Sequence, residues 1–276
     1  MPLSRFSVSE IRREVLGRGL VADISGATLW RWLDADALRP WYHRSWIFPR
    51  DPGFADPGFA EKAARILDLY EGCWQGSPLG QDEFVLSADE KTSIQARQRK
   101  HRGKPPAPGR AARVENEYKR LGAWAYLAAW DVHRAKLFGR CETKNTSAGV
   151  DRLVAEVMSQ PPYDSARRVF WIMDNCSTHR GEKAAERLRS RWPSAVLVHT
   201  PVHASWLNQI EIYFSILQRK ALTPNDFSSL DELEERLLGF QQHYEQIATP
   251  FRWTFTRHDL KRWLAKLDDP SLAPAA

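Results

Sequence analysis

Apolar and polar positions divide the chain into two parts with different character. From about residue 81, short apolar runs alternate with amphipathic stretches. FVLSADE at 84–90 reads as a strand ending in acids. AWAYLAAWDV and AKLFGRC, 123–132 and 135–141, read as a hairpin turning at His133 and Arg134. Residues 146–158 suit a helix, VFWIMDN at 169–175 a second buried strand, GEKAAERLRSRW a helix, and AVLVHTP at 195–201 another strand. A long helix begins near Ser205, and a final one covers about 230–246. Runs of four to eight apolar residues between helical patterns predict buried strands in a layered α/β domain.

The first part reads as helical. SVSEIRREVL opens with Ser7 or Ser9 as an N-cap and places Val8, Ile11 and Val15 at helical spacing. After the break at 17–19, a second helix starts at Ser25. Leu29, Trp32 and Leu33 are expected to face inward, and Thr28, Arg31 and Asp34 outward. Such a pair fits either a helix-turn-helix, whose second helix reads the major groove, or a plain helical hairpin. Residues 38–60 are rich in Pro, Trp and Arg and carry DPGFA twice in tandem, a local duplication rather than a solenoid. A helix follows over 60–73. The expected organisation is a small all-α helix-turn-helix region at 1–48, a connector at 49–80, and an α/β domain at 81–276.

Composition adds limits. Hydrophobic residues make up 43% of the 276, enough for an ordinary core. No run approaches the roughly 18–20 apolar residues of a membrane span, and the start lacks the apolar core of a signal peptide. The expectation is therefore a cytoplasmic, nucleoid-associated protein with no membrane partner. Cys73, Cys141 and Cys176 show no CxxC spacing, which supports neither a disulfide framework nor a structural zinc site. Net charge is +6, and between Gln95 and Arg120 nine Lys or Arg stand against two acids, Glu115 and Glu117. Clustered cations favour a polyanionic partner. The stretch 95–113, with three Pro and two Gly, reads as a mobile loop. It either contacts phosphate through Arg97, Arg99, Lys100, Arg102 and Lys104 or is simply solvated.

Three acids carry the candidate chemistry. Asp89 and Asp174 end strands, where α/β sheets gather ligands. Glu211 sits on the helix after the next strand, in a polar strip with Asn208, Ser215 and Gln218. That strip lies beside an apolar face of Trp206, Ile210, Phe214 and Leu217. Any one of these acids alone is more often a cap or a surface carboxylate. Converging carboxylates repel unless cations neutralise them, and Mg²⁺ prefers oxygen ligands. Two such ions can drive in-line attack at a phosphodiester. Asn175, His179, His203 and Asn208 could orient a ligand, hold a water or shuttle a proton, or be ordinary structural polar residues. His199 and His203 are poorly placed for zinc.

FVLSADEKTSIQA, RVENEYKRLGAWAYLAAWDV, VFWIMDNCSTH and HTPVHASWLNQIEIYFSILQRKAL together resemble the insertion-sequence 630 transposases of the DDE superfamily, related to Tc/mariner elements. The resemblance covers residues 84 to about 262 and is weaker over 25–70. It implies a ribonuclease H-like catalytic domain, a mixed sheet flanked by helices, with its acids at Asp89, Asp174 and Glu211. The last two are separated by 36 residues, the short spacing of this branch. It implies Mg²⁺, with Mn²⁺ substituting, cleavage of double-stranded DNA at terminal inverted repeats, and strand transfer into a TA target by a homodimer or larger assembly. Members usually carry two helix-turn-helix units. Here there is room for one before Asp89, and ISGATLWRWL fits the second, so the recognition region is expected to be truncated. A catalytically silent DNA-binding relic or repressor, and a resolvase-like nuclease, are the competing readings.

Overall fold

The structure is a computed structural model and describes residues 7–35, 56–174 and 182–267. It divides into two units, Met1–Pro49 and Arg50–Ala276.

In the first unit, helix α1 is Val8–Gly17 and helix α2 Gly26–Ala35. Ser7 caps α1 in a reciprocal capping box with Glu10: the Ser7 side chain accepts from the Glu10 N–H, and the Glu10 carboxylate accepts from the Ser7 N–H at 2.7 Å. Ser25 does the same service for α2, accepting from the Thr28 N–H at 3.0 Å. Leu29 is buried as expected, but Trp32 is 57% exposed. The inward placement expected for Trp32 is therefore corrected. Helical periodicity puts it near Leu29, yet the two described helices of this unit offer too little facing surface to cover an indole.

The second unit is a three-layer α/β domain. Helix α3 (Phe59–Tyr70) is followed by a minimal hairpin of β1 (Cys73–Trp74) and β2 (Ser77–Pro78). The main sheet comprises β3 (Glu83–Arg99), β4 (Tyr118–Asp131), β5 (Lys136–Glu142), β6 (Arg168–Met173) and β7 (Ala195–His199), in the order β5-β4-β3-β6-β7. β3, β6 and β7 run parallel, while β4 and β5 are antiparallel. The helices are α4 (Ser147–Met158), α5 (Glu182–Arg191), α6 (Ile210–Lys220), α7 (Leu230–Ile247) and α8 (Arg257–Leu267). The last of these lies beyond the helix expected to be final.

Alternation along β3 separates two cores. Phe84, Leu86 and Ala88 face one side and pack with Leu153, Val154 and Val157 of α4. Val85 faces the other, with Phe170, Ile172, Ile66 and Leu69 of α3, and Tyr213 and Leu217 of α6. A central strand covered on both faces needs a continuous apolar run, which 84–88 supplies apart from Ser87. Burying each large aliphatic side chain contributes about 1.5–3 kcal/mol, so α3 is held by the sheet's core. A third cluster joins Phe59, Ala63 and Leu67 of α3 to Leu260 of α8 through Ala204 and Leu207.

Strand β3 departs most from expectation. It continues ten residues beyond Asp89, with a bulge between Lys91 and Ile94 where Ser93 takes a positive φ of 54°. Residues 95–99 therefore belong to a strand and not to a mobile loop. Past Ser87, β3 has outrun β6. The exposed edge is covered by a later segment: the Arg97 N–H donates to Asn225 Oδ1 at 3.1 Å and the Phe227 N–H to the Arg97 carbonyl at 2.8 Å. The remaining residues to β4 form a narrow excursion with bridges at Lys104–Arg113 and Ala107–Arg110.

Candidate active site

The parallel register runs from Glu83–Arg168 to Ser87–Ile172. Two residues further along each strand stand Asp89 and Asp174. Because side chains alternate, both acids point to the face of Val85, Phe170 and Ile172, the face covered by α6. Glu211 lies in the first turn of α6, where the helix N-terminus favours a carboxylate. The chain thus brings its three acids together by two strand parities and one helix start. Asp89 belongs to the middle of a long strand rather than its end; what ends there is the parallel pairing.

Burial drives the Asp89 carboxyl up to about 8, with the charges of Asp174, Glu90 and Glu211 adding to the push and the Glu90 N–H opposing it. Glu211, on the solvent side of its helix, is raised by partial desolvation; Lys91 opposes the rise and Asp174 adds to it. The triad is therefore one electrostatic unit. Among the described residues, no three His, Cys, Asp or Glu side chains are grouped as they stand so that they could hold a metal ion.

Asn208 is the residue that joins the elements. It is 1% exposed. Its amide nitrogen donates to Asp89 Oδ2 at 3.2 Å and to the Ala88 carbonyl at 3.0 Å. Its amide oxygen accepts from the Ser87 hydroxyl, which itself accepts from the Ile210 N–H at 2.9 Å. The second Asp89 oxygen accepts from the Glu90 N–H at 2.8 Å. The carboxylate is thus fixed at both oxygens. Tyr70 of α3 pins the approach to α6 by donating to the Leu207 carbonyl at 2.7 Å and accepting from the Gln209 N–H at 3.3 Å. Ser87 was within reach of sequence reasoning, being two residues before Asp89 on the same face. Tyr70, 137 residues before Leu207, carried no signal.

Other expected residues fare differently. Asn175 and His179 lie outside the described residues. His203 is exposed, in a turn with φ of 61°. Trp206 is 45% exposed in a 3-10 turn before α6, edge-on to Phe255 at 5.2 Å, and so is not on the helix's apolar face as expected. Gln209 and Ile210 are buried in its place, because the helix starts at Ile210, five residues later than the pattern suggested. Thr28 and Arg31 are adjacent on α2, Arg31 donating to the Thr28 hydroxyl at 3.3 Å. Of the basic cluster, Arg97 and Arg99 belong to β3, stacked near Tyr118 at 4.6 and 5.4 Å. Lys100 pairs with Glu117 at 2.5 Å, and Arg102 and Lys104 are exposed.

A mixed five-stranded sheet with helices on both faces, bearing acids where the parallel pairing of two strands ends and on a helix laid across them, is a ribonuclease H-like domain. The chain belongs to the DDE superfamily of endonucleases, whose family model matches residues 85–234, more than half of its length. Its fold is shared with the Mos1 mariner transposase. The paired-end complex of that protein with Mn gives a TM-score of 0.56 at 14% identity, over 97% of this chain and 77% of that one. A pre-cleavage Mos1 transpososome gives 0.55 at 12% identity, over 98% and 81%. The paired-end complex with Mg gives 0.54 at 12%, over 98% and 81%. No curated protein sequence matches the chain. Among the described residues no helix is long and apolar enough to cross a membrane.

Proposed function

We propose that the chain is a transposase of the insertion-sequence 630 type, related to Tc/mariner, which nicks double-stranded DNA at terminal inverted repeats and joins the freed ends to a TA-containing target. The observation that carries this reading is the convergence of Asp89, Asp174 and Glu211 on one face, with Asp89 held at both oxygens. Membership of an endonuclease superfamily and a fold shared with a mariner transposase support it. The proposed assembly is a homodimer or larger on DNA, acting in the cytoplasm on the nucleoid.

The donor set fits Mg²⁺, with Mn²⁺ as a substitute: oxygen ligands only, and carboxylates whose mutual repulsion a cation relieves. Asp89, Asp174 and Glu211 would hold it. When bound, such ions activate a water or 3′-hydroxyl and stabilise the departing oxygen. The protein's own part is positional. Asn208 and Ser87 set the direction of Asp89. Lys91 offsets charge at Glu211. On the first unit, Thr28 and Arg31 are the proposed contacts of α2 with duplex DNA, and Lys100, Arg102 and Lys104 are proposed phosphate contacts.

The deciding experiment is cleavage of a labelled duplex carrying the flanking inverted repeat, with Mg²⁺, with Mn²⁺ and with EDTA. Metal-dependent cuts at the repeat end are expected. Tight binding without cuts under either metal would refute the catalytic reading and leave a DNA-binding relic.

A further inference from the structure

Past the triad, β3 and α6 run on side by side and leave between them a groove of about 570 Å³. Its floor is β3 from Lys91 to Arg99. One wall is formed by Val114 and Asn116 at the root of the basic excursion, the other by Gln218 and the segment 222–225. Its lining begins at Lys91, beside the candidate active site. Lys91 stands two residues beyond Asp89 and acts on Glu211. Gln218 stands seven residues beyond Glu211, two turns and about 10 Å further along the same stripe of helix.

The groove has one sign of charge. Lys91, Arg97 and Arg99 line it and no acid does. Among the described residues none of these three cations forms an ion pair, whereas Lys100, just beyond them, is paired with Glu117. The groove is also built in advance. Asn225 accepts from the Arg97 N–H at 3.1 Å and donates to the Gln95 carbonyl at 2.7 Å. Gln218 donates to the Thr223 hydroxyl at 3.2 Å, which returns a bond to the Gln218 carbonyl at 2.8 Å. Arg99 spans the floor, donating to the Asn225 carbonyl at 2.9 Å and the Glu115 carbonyl at 2.7 Å, and so ties the two walls together. Arg97 is used differently. Its guanidinium lies over the Tyr118 ring, and its Nε meets Gln95 at 3.3 Å.

We propose that this groove holds one DNA strand as it leaves the triad, with its phosphates on Lys91 and Arg97, and that Arg99 is the strut that keeps the groove open. The proposal rests on the transposase reading above and adds to it the path and single-stranded state of the substrate next to the cut. A positively charged groove with a wall on each side suits a sugar-phosphate backbone followed along its length. Lys91 to Arg99 spans at most about 26 Å at 3.3 Å per residue. At the about 3.4 Å per phosphate of a stacked strand, that is room for about eight nucleotides at most.

The test measures binding by fluorescence anisotropy across a KCl series, in EDTA, with the full chain. Three probes are compared: a blunt inverted-repeat duplex, and the same duplex with a six-nucleotide single-stranded extension on one strand or on the other. The wild type is expected to prefer one extended probe. Arg97→Ala is expected to abolish that preference and to lower the slope of log K against log[salt] by about 0.7 on that probe, the value for one single-strand phosphate, while leaving the blunt duplex unchanged. Arg97→Lys should restore most of the slope, and thermal melting checks that both variants are folded. Equal loss on that probe and on the blunt duplex, or no preference in the wild type, overturns the proposal. Wild-type protein that cuts the repeat with Mg²⁺ yet shows no preference refutes the groove alone. Wild-type protein that neither binds nor cuts refutes the groove and the transposase reading together.

Discussion

Replacing Asp89 with Asn should make the metal-free protein more stable while abolishing cleavage. The Asp89 carboxyl is held at about 8, against an ordinary value of 3.8, chiefly by burial and then by Asp174. A carboxyl whose folded pKa is raised takes up a proton on folding. Below 3.8 both states are protonated and the effect is nil. Between 3.8 and about 8, stability falls by about 1.4 kcal/mol for each pH unit; above 8 the loss is constant. At pH 7 this amounts to at most about 4 kcal/mol. Asn carries no charge but supplies one acceptor where Asp89 uses two, for Glu90 N–H and Asn208 Nδ2; losing one bond costs about 1 kcal/mol. The net gain is about 3 kcal/mol at most, a rise in melting temperature of roughly 6–12 °C for a domain of this size. The assay is thermal unfolding of both proteins in EDTA at pH 5, 7 and 8, repeated with excess Mg²⁺. The gap should widen from pH 5 to pH 8, and Mg²⁺ should narrow it by stabilising the wild type. A gap independent of pH, or a variant less stable than wild type at pH 8, would refute the electrostatic account of the site.

Three further outcomes are expected. Asp174→Asn and Glu211→Gln should each abolish cleavage with DNA affinity retained within a few-fold by gel shift; cleavage at the wild-type rate by either would remove that residue from the triad. Asn208→Ala strips a hydrogen bond from Asp89 and one from the buried Ser87 hydroxyl, and should weaken Mn²⁺ binding about 10–100-fold while costing about 1–3 kcal/mol of stability; unchanged Mn²⁺ titration by electron paramagnetic resonance would show that Asn208 does not position the ligand. Gly139→Ala would drive a methyl into the Tyr126 hydroxyl and to 2.7 Å from Gln241 Oε1, costing about 1–3 kcal/mol by overpacking; an undiminished urea midpoint would mean that the β5–α7 contact yields freely.

The order of elements was legible in the sequence because it rests on local periodicity, and the same periodicity shows where the three candidate acids stand on those elements. A run such as 84–88 is apolar on both faces only if helices cover the sheet twice, and the parity of Asp89 and Asp174 follows from counting along their strands. Spacing also placed Glu211 on a helix. The tertiary structure decided what periodicity cannot express. Residues 95–99 look like a basic loop because their partners, Tyr118–Ala123 and Asn225–Phe227, lie 19 to 130 residues later in the chain. Trp206 fits the helical face by spacing, but the helix begins only where Ser87 meets the Ile210 N–H. Asn208 could be listed as one polar residue among several. That it bridges Ser87, Ala88 and Asp89 depends on β3 and the start of α6 meeting across about 120 residues of chain, a consequence of burial and topology that no local pattern records.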